Sequence, residues 1–134
     1  MAKVIRSKRK VSKKKTFRSG LEDITALHIK SKGAKVLYET SKIKYTIPES
    51  NHVYTPDFIL PNGIIVETKG RFMIDDRKKH LLIRAQHPDK DIRFVFTRSA
   101  TKLYKGARTT YADWCVKNNF KFADKCIPDS WFNE

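Results

Sequence analysis

The chain divides by the period of its apolar residues. After Ser19, the residues Leu21, Ile24, Leu27 and His28 recur at helical spacing as far as Gly33, and Glu22 stands three positions beyond the serine. This predicts a helix with a capping-box start, an apolar stripe on those four residues and a glycine stop. Lys35 to Glu39 and Ser41 to Ile47 are expected to be extended. In the second stretch Ile43, Tyr45 and Ile47 alternate with Lys42, Lys44 and Thr46, and Pro48 ends the pairing. Glu49 to His52 is expected to form a polar loop. Tyr54 to Leu60 and Ile64 to Lys69 then flank Pro61-Asn62-Gly63, and the Asn-Gly pair predicts a β-hairpin.

Gly70 closes the hairpin. Asp75 and Asp76 suit the positive end of a helix that carries Leu81, Leu82 and Ala85 and stops before Pro88. Asp91 to Thr97 is an expected strand, with Ile92, Phe94 and Phe96 on a strongly apolar face and Arg93 and Val95 on the other. Thr109 or Thr110 caps a helix to about Asn119 with Tyr111, Trp114 and Cys115 on it, and the rest, through Pro128 to Trp131, makes a short strand and a final turn. Phe94, Phe96, Trp114 and Trp131 are assigned to the core. The order predicts an α/β fold, a mixed central sheet flanked by helices.

At 134 residues and 15.6 kDa the chain suffices for one hydrophobic core. No apolar run approaches the roughly 18 residues that span a bilayer, and the lysine-rich start lacks the apolar stretch of a secretory signal, so no membrane partner is expected. Cys115 and Cys126 match no zinc or redox spacing and are expected to be free, mostly buried thiols. His28, His52, His80 and His87 lie in no zinc pattern, so any metal is expected on oxygen ligands.

Charge changes the picture most. Against 14 acidic residues stand 29 Lys and Arg, a net charge of +15. Residues 1–18 hold nine of the basic side chains and no acid, leaving a net +6 for residues 19–134. The partner this implies is a polyanion, with nucleic acid the natural one and no small-molecule substrate expected. Residues 1–16 are assigned to a basic flexible tail and 17–134 to a single domain. Lys13, Lys14, Lys15 and Arg18 near the tail, and Arg71, Arg77, Lys78, Lys79, Lys102 and Lys105 in the domain, are the candidate phosphate contacts, with His80 and Arg108 beside them.

The hairpin holds the candidate chemistry. Alternation along a strand puts Ile65, Glu67 and Lys69 on one face and Ile64, Val66 and Thr68 on the other. Asp57, brought alongside by the turn, makes a second carboxylate in a volume suited to a hard divalent cation. Phosphodiester hydrolysis needs such a cation to lower the pKa of water and to offset charge on the attacking and leaving oxygens. Lys69 adds a positive donor for the scissile phosphate. Glu22, in the first turn of the first helix, is a candidate third carboxylate, or simply the reciprocal half of the Ser19 capping box; one rotamer cannot serve both.

This order, with Pro56-Asp57 and Glu67-Thr68-Lys69, resembles the PD-(D/E)xK nuclease superfamily and its restriction-endonuclease-like core. More narrowly, Phe17 to Asp23, Ser50 to Gly70, Asp75 to Pro88 and the TKLYKG run Thr101 to Gly106 resemble the endonuclease I family of T-odd bacteriophages, the phage Holliday-junction resolvases. The resemblance implies catalytic roles for Glu22, Asp57, Glu67 and Lys69, and Mg²⁺, with Mn²⁺ able to substitute, as one or two ions on Glu22, Asp57, Glu67 and the Thr68 carbonyl. It implies an intertwined, strand-exchanged homodimer in which residues 41–48 bridge the subunits and each site is composite. It also implies paired nicks in branched double-stranded DNA, with 5′-phosphate and 3′-hydroxyl products, in the cytoplasm of a phage-infected host. A sequence-directed, homing-type endonuclease on the same scaffold and a non-catalytic basic DNA-binding protein are the alternatives.

Overall fold

The computed structural model describes residues 17–47 and 50–134. Lys13, Lys14 and Lys15, with the rest of the predicted tail, and Pro48 and Glu49 lie outside the described residues.

Helix α1 (Gly20–Ser31) starts as its sequence requires: Ser19 is extended and its hydroxyl accepts from the Glu22 N–H. Gly33, at a φ of 76°, follows the helix end in the left-handed region where a side chain would be strained. Its buried face differs from the expected one. Glu22, Thr25, Ala26 and Ile29 are buried, while Ile24 and Leu27 are 56% and 68% exposed. The buried set is itself a helical stripe, at i, i+3, i+4 and i+7, with a carboxylate at its head. Hydrophobicity alone misplaced the face because Glu22 counts as polar.

Strands β1 (Ile43–Ile47) and β2 (Ser50–Tyr54) form a separate antiparallel pair, Ile43 opposite Tyr54 and Ile47 opposite Ser50. Residues 50–52, expected in a loop, are therefore strand, because the paired edge of β1 supplies their backbone partners. Lys35 to Glu39, expected to be extended, contributes a single bridge, Tyr38 to Phe58.

The main sheet has the order β3-β4-β5-β6, from β3 (Phe58–Ile59), β4 (Ile65–Lys69), β5 (Ile92–Phe96) and β6 (Phe122–Asp124). The hairpin forms about the predicted turn, β3 and β4 antiparallel with Phe58 opposite Val66 and Gly63 at a φ of 90°. Its first arm, expected over Tyr54 to Leu60, is strand only at Phe58–Ile59, because Tyr54 pairs with Ile43 in the other sheet. The other pairs are parallel, so each needs a crossover. Helix α2 (Ile74–Gln86) joins β4 to β5, and α3 (Tyr111–Lys117) joins β5 to β6. The chain closes with the short α4 (Asp129–Phe132).

The sheet divides the core. On one face Ile65, Phe94 and Phe96 pack with Phe72, Ile83, Trp114 and Cys115; on the other Val66 and Val95 pack with Ala26, Ile29, Ile127 and Trp131. All five residues of β5 are buried, so the face carrying Arg93 is not a solvent face. Arg93 is 2% exposed, donates to the carboxylates of Asp91 and Glu134, and lies over the Trp131 ring. A buried guanidinium is tolerable only when so paired. Of the two thiols, Cys115 is buried and Cys126 exposed, which corrects half of that expectation.

The hairpin β1-β2 is tied to the end of α2. The Gln86 side-chain amide accepts from the Thr46 N–H and donates to the Thr46 carbonyl, as a neighbouring strand would. Such pairing caps part of the β1 edge.

Candidate active site

Backbone pairing at the start of the hairpin brings the acids together. Asp57 precedes β3 and sits across from Glu67, whose Oε2 accepts from the Asp57 N–H at 2.8 Å and from the Tyr54 hydroxyl at 2.7 Å. Asp57 Oδ2 in turn accepts from the Thr68 N–H at 3.0 Å and the Thr68 hydroxyl at 3.1 Å. Each carboxylate is thus pinned by a backbone N–H of the segment that carries the other. Both are buried.

Burial governs their charge. It is the largest influence raising the Asp57 carboxyl, opposed by the Thr68 donors and Lys69 and reinforced by Glu22. Glu67 is pushed up to about 7, first by burial and then by the Asp57 charge, against Lys69 and the Tyr54 and Asp57 donors. Tyr54 is raised by burial and by Glu67, and stays a phenol that donates.

Glu67 Oε1 faces two nitrogens, Lys69 Nζ at 3.9 Å and His80 Nε2 at 3.8 Å. Lys69 Nζ also lies 3.4 Å from Asp76 Oδ1, while Asp76 Oδ2 accepts from the Met73 N–H at the head of α2. One acid therefore starts the helix and holds the lysine. Glu67 and Lys69 do share a face, as alternation predicted.

Glu22 lies beside Asp57 but not as a capping-box partner. Its Oε1 accepts from the Arg18 N–H and from the Tyr38 hydroxyl, both at 2.8 Å, leaving the Ser19 N–H aside. Burial, followed by that bond to Glu22, raises the Tyr38 phenol and keeps it a donor. Ligand-capable oxygens of Glu22, Glu39 and Asp57 all fall within 4.8 Å of one another. Three such oxygens suit a hard divalent cation, which would also offset the burial and the neighbouring Glu22 charge that raise the Asp57 carboxyl.

Glu39 was missed by sequence reasoning. The bridge of Tyr38 with Phe58 places Glu39 opposite Asp57, and its N–H donates to the Asp57 carbonyl at 3.1 Å. A φ of 52°, rare for a residue with a side chain, accompanies that placement. Pairing the extended stretch 35–39 against 54–60 would have exposed it. His80 was also misassigned: it is fully buried, edge-on to Tyr54 and Phe94, and neither ring nitrogen has a hydrogen-bond partner. Burial, with Lys69 and Lys79 nearby, keeps it neutral.

The candidate phosphate contacts separate. Arg18 is exposed and ion-paired with Glu39; Arg71, Lys78, Lys102 and Lys105 are exposed; Lys79 is half-buried, its ammonium over the Tyr54 ring. Arg77 is corrected: it is 8% exposed, with its guanidinium donating to the Phe72 carbonyl, so it supports the loop before α2 and reaches no surface ligand.

Convergent acids beside a lysine, at the end of a hairpin strand in a strongly basic chain, are the kind of side-chain set that a nuclease-type phosphodiesterase needs. Residues 1–134 match the phage endonuclease I family, and the chain belongs to it. It is 62% identical over 118 residues to Endonuclease I of Escherichia phage T7, covering 88% of this chain and 79% of that one. It is 60% identical over 114 residues to Endodeoxyribonuclease 1 of Enterobacteria phage T3, covering 85% and 75%. The protein is a phage-type endodeoxyribonuclease, a phosphodiester hydrolase whose substrate is DNA. Among the described residues no helix is long and apolar enough to cross a membrane.

Folding raises the Glu67 carboxyl from 4.5 to about 7, so the folded state holds that proton more tightly than the unfolded one. Stability conferred by the protonated acid is complete below pH 4.5 and is lost as pH rises through about 7. Glu67→Gln keeps an acceptor oxygen for Tyr54 and Asp57 but cannot ionise. In EDTA its melting temperature is expected to match wild type in acid and to exceed it by several degrees at mildly alkaline pH. A gap that does not grow with pH, measured by circular dichroism melts, contradicts this.

Proposed function

We propose that this endodeoxyribonuclease acts on branched DNA, resolving four-way junctions by paired nicks with Mg²⁺ as the physiological ion and Mn²⁺ as a working substitute. The observation that carries the reading is the buried Asp57–Glu67 pair with Lys69 at its edge. Asp57, Glu67 and the Thr68 carbonyl hold one ion, and Glu22 serves a second, with Glu39 as an additional acid in reach. When bound, the ion supplies a lowered pKa for water and positive charge for the leaving oxygen.

The chain's own groups do the rest. Thr68 and the Asp57 N–H fix both carboxylates, so neither reorganises during the reaction. Lys69, steadied by Asp76, directs its ammonium at a non-bridging oxygen of the scissile phosphate, where negative charge grows. Arg71, Lys78, Lys79, Lys102 and Lys105 hold flanking phosphates, together with Arg18 and the lysines at 13–15.

Two nicks in one junction call for two coupled sites, which favours a homodimer. Residues 41–48 lie between Glu39 and Asp57 in the chain, so exchange across this segment brings Glu22 of one subunit to Asp57, Glu67 and Lys69 of the other. The exposed Ile24 and Leu27 on α1 and Val53 on β2 are apolar groups of the kind such an assembly covers. The reaction then takes place in the host cytoplasm.

With Mg²⁺, a synthetic four-way junction is expected to be cut at least tenfold faster than a linear duplex of the same sequence, and Lys69→Ala is expected to lose at least 100-fold in rate while still binding DNA in EDTA. Equal cutting of both substrates removes branch selectivity, and a sequence-specific cut in the duplex favours the homing-type reading. Composite sites make a second prediction: co-expressed Glu22→Gln and Asp57→Asn subunits restore one intact site per mixed dimer, which nicks one strand of the junction. An inactive mixture, or an active monomer in light scattering, contradicts subunit exchange.

A further inference from the structure

The TKLYKG run, Thr101 to Gly106, has no part in the acid-lysine cluster. It lines a groove of about 540 Å³ that begins at Gly70, immediately after the catalytic strand. Arg71, Met73 and Tyr111 also line it, and none of its lining residues is acidic.

The loop is held in one shape. The Ser99 N–H and hydroxyl donate to the Asp124 carboxylate at 2.8 and 3.1 Å. Leu103 N–H donates to the Thr109 carbonyl, Ala107 N–H to the Tyr104 carbonyl and Tyr111 N–H to the Thr101 carbonyl, all at 2.9 to 3.0 Å. Leu103 packs on the core, Ala107 is buried and Gly106 turns the chain at a φ of 87°. None of these anchors is the Tyr104 side chain. Its ring is 66% exposed and, among the described residues, stacks on no other aromatic group. A single exposed apolar group is ordinary on a protein surface. A phenol ring on a stapled loop, between two lysines and beside the strand that ends in Lys69, is a more specific arrangement.

We propose that Tyr104 is a stacking platform for one unpaired base of the strand being cut, at the nucleotide next to the scissile phosphate. Lys102, Lys105 and Arg71 take the phosphates on either side of that base. In an uninterrupted duplex both faces of every base are covered by neighbours, whereas a branch point offers a face at little unstacking cost. Tyr104 thereby converts a general phosphodiesterase site into one that prefers branched DNA. This rests on the nuclease reading of the Asp57–Glu67–Lys69 site and deepens it.

The test uses the full-length protein and its Tyr104→Ala and Tyr104→Phe variants. Each is titrated in EDTA with four-way junctions carrying 2-aminopurine beside the mapped nick, and with the matched duplex. Wild type and Tyr104→Phe are expected to quench the probe on the junction. Tyr104→Ala is expected to leave it bright and to lower the ratio of junction to duplex affinity by about tenfold, the effect of losing one stacked base. Unchanged quenching and an unchanged ratio in Tyr104→Ala overturn the proposal. So does an equal loss on both substrates that Tyr104→Phe fails to restore, because that assigns the effect to the hydroxyl or to the loop's shape. Cleavage by wild type with Mg²⁺, run in parallel, separates the two claims: no cutting with intact quenching sinks the nuclease site and spares the platform, and cutting without quenching does the reverse.

Discussion

The burial of two carboxylates side by side, Glu67 fastened by the Asp57 N–H and Asp57 by the N–H of Thr68, is the constraint on which this protein turns. Asp57 and Glu67 are both removed from water, and water is the medium that would otherwise stabilise their charges. Four donors compensate in part: the Asp57 and Thr68 N–H groups and the Tyr54 and Thr68 hydroxyls. The compensation is incomplete, since Glu67 is still raised to about 7. A fold that keeps such a pair carries an energetic cost, which a divalent cation bound there would offset.

The rest of the architecture serves to hold that pair still. The hairpin turn sets Asp57 against Glu67, the parallel partner β5 backs β4 along its length, and the aromatic layer of Phe72, Phe94 and Phe96 fills the space between sheet and helices. Helix α1 brings Glu22 in at the head of its buried stripe, and α2 brings Asp76 to Lys69 and His80 to Glu67. Glu22 and Asp76 each sit in the first turn of their helix, where acids also favour the local dipole. Stability and chemistry therefore draw on the same residues at Asp76 and Glu22.

How much of this was legible in the sequence follows from the range of each interaction. The hairpin was legible because its turn is local: Asn62-Gly63 fixes the register, and alternation then places Glu67 beside Lys69. The Ser19 cap and the crossover helices were legible for the same reason. Glu39 was not, because its position depends on a single bridge from Tyr38 across to Phe58. Tyr38 and Tyr54, which donate to Glu22 and Glu67, look like ordinary apolar residues until those contacts form. Arg77 and Arg93 carry charge, so composition assigns them to the surface; packing buries both, against a carbonyl in one case and two carboxylates in the other. His80 fell among basic neighbours in the sequence and lies in the core because helical spacing turns it inward with Ile83.

The most direct test of the central claim is a Mn²⁺ titration of the protein without DNA, followed by electron paramagnetic resonance, for wild type, Asp57→Asn and Glu67→Gln. The account predicts saturable binding by wild type and at least tenfold weaker binding by each variant, with all three folded. Equal binding by the three proteins, or none by wild type at millimolar ion, would show that the buried carboxylates were not assembled to hold a cation.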